Sequence, residues 1–434
     1  VYKRQVVAGP VGGDGLDHLA VDAEVDLDGV RGPLEHRPAT HADAAFLTAA
    51  SRLDDTGGGA GGDPHPGAAQ ECVGSAVGVR CVDTDLLGAD GGGERVVETV
   101  VLAVETDQGI TGWGEVCPIP HYLPAYARGV VPALAEMAPA ILGADPLGPE
   151  ALMARLDAYL PGHVYAKSAL DIALWDITGQ LAGVPLYALL GGRRQADLPL
   201  YHSITCIAPD EMARIARDAQ ARGMTQFQAK LGADADWRAD VERLVKVREA
   251  VGPGPIVYGD WNCGATSLDA SRVGRAVAHL DVMLEQPCAT LEDCARVRMA
   301  SGLPMKLDEL AHDTDSLLKA HRLGIMDAVA IKLSKFGGLS AARRARDLCL
   351  HLGAKMCVED TWGSDIATAA ALHLGVATDP ARVLNVCDLS GYVAPRLAPT
   401  APVRAAGRIA PPDGPGLGIV VDADALGAPD AILE

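Results

Sequence analysis

The chain has 434 residues, 49% of them apolar, enough for a large core and for two or three domains. A formal net charge of −20 argues against nucleic acid or an anionic membrane as a partner. No apolar run is long enough to span a bilayer, and the start carries no signal-peptide pattern. The ten cysteines include no C-x-x-C pair, so neither a zinc site nor a disulfide framework is indicated and a reduced cytoplasm is the expected compartment.

Residues 1–73 are rich in Gly, Ala, Asp and His and lack apolar periodicity, and Gly57-Gly58-Gly59-Ala60-Gly61-Gly62-Asp63-Pro64 sustains neither helix nor strand. Disorder is expected there. The first methionine is Met137, inside a patterned region. The stretch is read either as lying upstream of the native start or as a flexible native extension. Residues 74–197 read as an α+β unit. Val77, Val79 and Cys81 alternate as in a strand, and Val96 to Glu105 with Ile110 to Glu115 form a hairpin around Thr106-Asp107-Gln108-Gly109. Ser168 is a candidate cap for a helix carrying Leu170, Leu174, Ile177 and Leu181 on one face, ended by Gly183 and Pro185.

From 198 to 390 the rhythm changes to strand then helix. Eight strands are predicted: Leu198–Ile204, Thr225–Lys230, Ile256–Asp260, Val282–Glu285, Met305–Asp308, Ala328–Lys332, Ala354–Asp360 and Val383–Asp388. Amphipathic segments such as Glu211–Arg222 and Ala235–Ala250 lie between them. Eight strands at this spacing predict a closed α/β barrel. An open nucleotide-binding sheet is disfavoured, because no Gly-x-Gly-x-x-Gly follows a strand. Residues 391–434, rich in Pro and Gly, are expected to pack back on the first unit.

Lys230, Asp260, Glu285, Asp308 and Lys332 each end an apolar run, and successive members are 23 to 30 residues apart. One βα unit takes about 20 to 30 residues or more, so all five are expected at the C-terminal mouth of the barrel. Any single acid reads most simply as a solvated side chain or a helix cap. Three at matched positions read as ligands of a hard dication, Mg²⁺. Lys230 and Lys332, from the second and sixth strands, would face each other across it. Lysine is a poor base at its free pKa of about 10.4. A nearby dication and desolvation lower that value, which suits proton transfer beside a substrate carboxylate. Lys335 reads as a solvated or supporting lysine.

Five motifs carry a family likeness: Gln228-Ala229-Lys230, Asp260-Trp261-Asn262, Glu285-Gln286-Pro287, Leu307-Asp308-Glu309 and the run Ile331-Lys332-Leu333-Ser334-Lys335-Phe336-Gly337-Gly338. They resemble the muconate-lactonising branch of the enolase superfamily, over about residues 77 to 434. That superfamily is itself a standard example of a Lys or His base working with Mg²⁺. Gly112-Trp113-Gly114-Glu115 and Ser168-Ala169-Leu170-Asp171 look like its capping domain. The resemblance implies a modified TIM barrel, (β/α)7β, with an N-terminal α+β capping domain. It also implies Mg²⁺ on Asp260, Glu285 and Asp308, supported by Asn262 and Glu309, and α-proton abstraction by Lys230 and Lys332. Homo-oligomers are common in the family. Gln228 departs from the family's usual Lys-x-Lys, which removes one positive charge beside Lys230. The seventh strand ends in Glu359-Asp360 without a histidine, which disfavours a His/Asp dyad.

The segment Glu359-Asp360-Thr361-Trp362-Gly363-Ser364-Asp365 is similar to a subgroup acting on proline derivatives. Asp360 and Asp388 would pair with a ring ammonium, and Trp362 would add a cation–π contact or simply pack at the rim. Gln228 is a further candidate substrate contact. Asp365 reads as a helix cap. His121, Tyr122 and the Asp83–Gly93 loop are candidate closing elements, with His163 a further contact. His202, His312, His351 and His373 read as ordinary core or surface residues. The expected reaction is dehydration of cis-3-hydroxy-L-proline, with Lys230 as base and Lys332 as acid by family analogy. The alternatives are a racemase or 2-epimerase of a proline derivative or betaine, or an acid-sugar dehydratase. A metal-free Schiff-base aldolase leaves the three aligned acids unexplained, and a non-catalytic barrel leaves both lysines unexplained.

Overall fold

The structure, a computed structural model, describes residues 74–86, 96–120 and 124–434. The readings for 1–73, for His121 and Tyr122, and for most of the Asp83–Gly93 loop fall outside the described residues. Three strands, β1 (Gly74–Leu86), β2 (Val96–Thr106) and β3 (Thr111–Val116), form an antiparallel sheet. Helices α1 (Val130–Ile141), α2 (Pro149–Tyr159) and α3 (Val164–Ala182) pack on it around an apolar core that includes Leu102, Leu134, Met137 and Leu170. Helix α3 starts one turn before the expected cap. Ser168 is buried inside it, and His163, in the left-handed region at φ 50°, precedes the first turn. Tyr165, Ala166 and Ala169 are buried, so burial of the first turn outweighs the capping preference of Ser168. The Gly-x-Gly of β3 has a steric cause. A Cβ on Gly114 would lie 1.8 Å from the Ala169 carbonyl oxygen, and one on Gly112 would lie 2.3 Å from that of Ala173.

The chain then builds eight parallel strands. They are β4 (His202–Ile204), β5 (Gln226–Lys230), β6 (Ile256–Asp260), β7 (Val282–Glu285), β8 (Met305–Leu307), β9 (Ala328–Lys332), β10 (Lys355–Glu359) and β11 (Val383–Val386), paired in chain order. Closure runs through a parallel bridge from Leu200 to Val386 and through Gln226, whose Nε2 donates to the Leu384 carbonyl at 2.7 Å. Helices α4 (Pro209–Ala221), α5 (Trp237–Val251), α6 (Ser267–Ala276), α7 (Leu291–Ser301), α8 (Thr314–Arg322), α9 (Leu339–Leu352) and α10 (Asp365–Val376) return the chain between strands. No helix of this kind follows β11, which is the (β/α)7β pattern. Local chemistry starts several helices. Asp236, Thr266 and Thr290 accept backbone N–H bonds as caps, and Asp313 with Ser316 forms a capping box.

Helix α10 is buried along its whole length. Its N-terminus is not capped by Asp365, whose carboxylate instead pairs with Arg396 and accepts from the Ala398 N–H at 2.9 Å. Glu115 of β3 takes the capping role across the fold. Its oxygens accept from Ser364 N and Ala367 N, at 2.8 and 2.9 Å, and from the Thr99 and Ser364 hydroxyls. A carboxylate at a helix N-terminus is favoured by the orphan N–H groups and the helix dipole. Those bonds tie the first sheet to the barrel. The C-terminal segment pairs with β1 twice, Val393 and Ala394 with Leu86 and Asp85, and Ala431 to Leu433 with Val79 to Val77.

His373 of α10 is fully buried, as a core histidine should be. Its Nε2 donates to the Leu417 carbonyl at 3.0 Å, and Nδ1 accepts from Tyr187 N at 3.3 Å. Burial pushes its pKa down from 6.5 to about 4. The unfolded chain therefore binds the extra proton between those values and the folded chain does not. The stability from this site is complete above pH 6.5 and is lost as pH falls toward 4. His373→Gln, which keeps one donor and one acceptor, is expected to flatten that acid limb when melting temperature is followed from pH 7 to 4. An unchanged limb would count against the assignment.

Candidate active site

Strand register gathers the five residues named above. Lys230 is level with Asp260, Asp260 with Glu285, and Glu285 with Lys306. Asp308 follows β8 directly, and Lys332 ends β9 level with Glu359. Asp260, Glu285 and Asp308 are buried at the C-terminal ends of consecutive strands. The turns that follow are tightly wound. Asn262, Cys263 and Gln286 take φ values of 45°, 66° and 33°, unusual for residues with side chains. Cross-links hold them there. Asn262 N donates to Asp260 Oδ1 at 2.8 Å, Cys263 N to the Gln286 carbonyl at 2.9 Å, and Asp308 N to Gln286 Oε1 at 2.9 Å.

The lysines close on the acids from both sides. Lys230 Nζ donates to Asp260 Oδ2 at 2.5 Å and Asn262 Oδ1 at 3.0 Å. Lys332 Nζ donates to Asp308 Oδ2 at 2.5 Å. Asn262 Nδ2 donates to Glu309 Oε1 at 2.9 Å, so Asn262 and Glu309 do flank the acids. Lys335 is buried and donates to Asp308 Oδ1 and to the Asp308 and Ala330 carbonyls, so it supports the strand end. Gln228 bridges two acids. Its Nε2 donates to Glu285 Oε2 at 2.8 Å and Asp260 Oδ2 at 3.1 Å, and its Oε1 accepts from Ser203.

The electrostatics are those of crowded carboxylates. Burial lifts the Glu285 pKa to about 8, opposed by Lys306 and reinforced by Asp260 and Asp308. Burial and the same two aspartates lift Glu309 to about 7. Burial also works against the Asp308 carboxylate, yet Lys332 and Lys335 outweigh it and hold the group far below its usual range. Burial pulls the Lys332 ammonium down, but Asp308, Glu359 and Glu309 raise it well above its ordinary value. Among the described residues, no three acid, thiol or imidazole groups close on a common point at metal distance. The ammonium groups of Lys230 and Lys332 lie on Asp260 and Asp308 instead. The donor set itself fits a hard cation: three buried carboxylates at adjacent strand ends.

The residues expected to touch substrate are engaged in other ways. Asp360 accepts from Ser334 N, the Ser334 hydroxyl and Thr361 N, so its described contacts tie together the loops after β9 and β10. Asp388 pairs with Arg404 at 2.5 Å, and burial, eased by that arginine, lifts its pKa to about 6. Trp362 packs against Tyr392 at 6.2 Å between ring centroids, and Arg404 lies over Tyr392. Two groups escaped the sequence reading. Arg404 sits in a segment without periodicity, where no pattern signals a partner for Asp388. Lys306 is wholly buried inside the barrel. Its signal was present, since it lies two residues before Asp308 on a strand and so shares that residue's face.

Comparison with known proteins gives the family. The mandelate racemase / muconate lactonizing enzyme N-terminal domain matches residues 93–191, and the enolase C-terminal domain-like family matches residues 211–425. The chain belongs to the enolase superfamily and is an enzyme of that class, with a capping domain and a TIM barrel. It is 41% identical over 338 residues to a cis-3-hydroxy-L-proline dehydratase from Roseibium aggregatum, covering 78% of this chain and 92% of that one. An N-succinyl-L-Arg/Lys racemase from Bacillus cereus is 28% identical, with 68% of this chain and 79% of that protein covered. A crystal structure of an enolase superfamily member from Roseovarius nubinhibens complexed with magnesium superposes with a TM-score of 0.79 at 35% identity, covering 83% of this chain and 99% of that one. Among the described residues no helix is long and apolar enough to cross a membrane.

Proposed function

We propose that this enzyme removes the α-proton of a proline-derived carboxylate with Mg²⁺ held by Asp260, Glu285 and Asp308, and that its reaction is dehydration of cis-3-hydroxy-L-proline. The observation that carries the reading is the pair of lysines, Lys230 and Lys332, ending β5 and β9 on opposite sides of the three acids. The likeness to the Roseibium dehydratase supports the choice of substrate. Bound there, Mg²⁺ would supply Lewis-acid polarisation of the substrate carboxylate. Lys230 in its neutral form takes the α-proton, held in place by Asn262. Lys332, still protonated, gives its proton to the departing 3-hydroxyl. The C–O bond breaks, water leaves, and the enamine product tautomerises to a cyclic imine. Trp362 is the candidate wall for the ring, and Asp388 the candidate acceptor for its ammonium. Asp360 holds the loop that carries Trp362.

Two lysines on opposite faces also suit epimerisation, in which the second returns a proton instead of assisting a leaving group. The racemase relative favours keeping that reading. The test is NMR of the purified enzyme with Mg²⁺ and cis-3-hydroxy-L-proline in D₂O. Conversion to the cyclic imine is the expected result. Deuterium at the α-carbon without elimination would move the assignment to epimerisation. No change at either centre would overturn the substrate.

A further inference from the structure

Lys306 has no part in the proton transfers described above. Its side chain is fully buried, while those of Lys230 and Lys332 retain 26% and 12% of their exposure at the barrel mouth. It stands inside the barrel with Nζ 2.9 Å from Glu285 Oε1. Tyr258 and Tyr201 wall it in, with ring centroids 4.8 and 5.4 Å from the ammonium. Both walls are themselves pinned. The Tyr201 hydroxyl donates to Glu359 at 2.6 Å, and Asn385 Nδ2 donates to the Tyr258 oxygen at 3.3 Å. A buried ammonium is costly to keep unless it does something for its partner. Its partner is the central member of the three acids.

We infer that Lys306 is a positioning residue for the metal site: from inside the barrel its buried ion pair with one oxygen of Glu285 orients that carboxylate, so that the opposite oxygen is presented beside Asp260. This rests on the assignment of Asp260, Glu285 and Asp308 as metal ligands. Glu285 is engaged at both oxygens, by the Lys306 ammonium at Oε1 through an ion pair at 2.9 Å that lacks hydrogen-bond alignment, and by a hydrogen bond from the Gln228 amide at Oε2. The two grips differ in kind. Gln228 is neutral and shared with Asp260, whereas Lys306 carries the charge. Lys230 and Lys332 also neutralise the acids, but both must be released to move protons. Lys306 has no exposed route away and stays paired through the cycle.

The test measures metal binding itself. Isothermal titration calorimetry with MgCl₂ alone, without substrate, gives the dissociation constant for the full-length protein and its variants. Glu285→Gln is expected to abolish binding, which checks the ligand assignment. Lys306→Met is expected to raise the dissociation constant roughly 10- to 100-fold, the usual effect of losing a ligand's supporting partner. The Gln228 amide lies between Glu285 and Asp260, so the double variant Lys306→Met with Gln228→Lys puts the missing charge beside the same acid and is expected to recover affinity. A merely structural role for Lys306 would not be rescued in this way. Melting in EDTA separates loss of fold from loss of binding. If Lys306→Met does not fold, Lys306→Gln, which keeps a donor without the charge, carries the comparison. Wild-type affinity in a folded Lys306→Met or Lys306→Gln protein, with Glu285→Gln inactive in binding, overturns the inference alone. A wild-type protein that binds no metal overturns the ligand assignment and the inference with it.

Discussion

Lys230→Ala is expected to stop both deuterium exchange at the α-carbon and product formation, with a loss in kcat of at least roughly 10²- to 10⁴-fold, the usual contribution of a positioned general base. Lys332→Ala is expected to lose elimination by a similar factor while α-exchange in recovered substrate continues, because Lys230 can still take and return its proton. The two variants therefore report different steps. If the roles are reversed, the exchange phenotype moves to Lys332→Ala and the assignment of base and acid changes with it. If neither variant alters exchange, the lysines are not the proton carriers. Each substitution removes an ion pair with a strand-end acid, Asp260 or Asp308, so magnesium affinity should be measured alongside. A catalytic loss with metal binding intact separates chemistry from assembly of the site.

Removal of the metal is expected to have an equally large effect. Treatment with EDTA should take turnover to background, and Mg²⁺ should restore it. The reason lies in the pairs seen here. With Lys230 on Asp260 and Lys332 on Asp308, both 2.5 Å contacts, the ammonium forms are stabilised, and an ammonium cannot accept a proton. A dication held by those acids would compete for the same oxygens and would lower the pKa of each nearby lysine. Asp260→Asn, Glu285→Gln and Asp308→Asn should each lose metal-dependent activity. Stability provides an independent check. A ligand bound only by the folded chain adds about 2.7 kcal/mol at a hundred times its dissociation constant, so melting temperature should rise with Mg²⁺ in the wild type and not in Glu285→Gln. Activity that survives chelation, with substrate trapped on a lysine by borohydride, would instead favour Schiff-base chemistry.

Much of this was readable along the chain because the barrel repeats. Each βα unit ends its strand in the same place, so Lys230, Asp260, Glu285, Asp308 and Lys332 fall at a regular interval, and a parallel sheet in chain order makes them neighbours. Helix starts such as Asp236, Thr266, Thr290 and Asp313 are equally local, since the cap and the N–H groups it satisfies lie within three residues. Ser168 shows the limit of local reasoning. It has the right chemistry for a cap, but the packing of Tyr165, Ala166 and Ala169 carries the helix past it.

What the linear chain could not disclose is which distant groups share a partner. Glu115 caps a helix 249 residues away, Arg404 takes the carboxylate of Asp388, and Lys306 turns inward onto Glu285. Charge alone would have left each of these at the surface. Their placement depends on the register of closed strands and on the docking of one sheet against the barrel. In a buried site those two features decide which charges meet, because an ion withdrawn from water has to find its counter-ion within the fold.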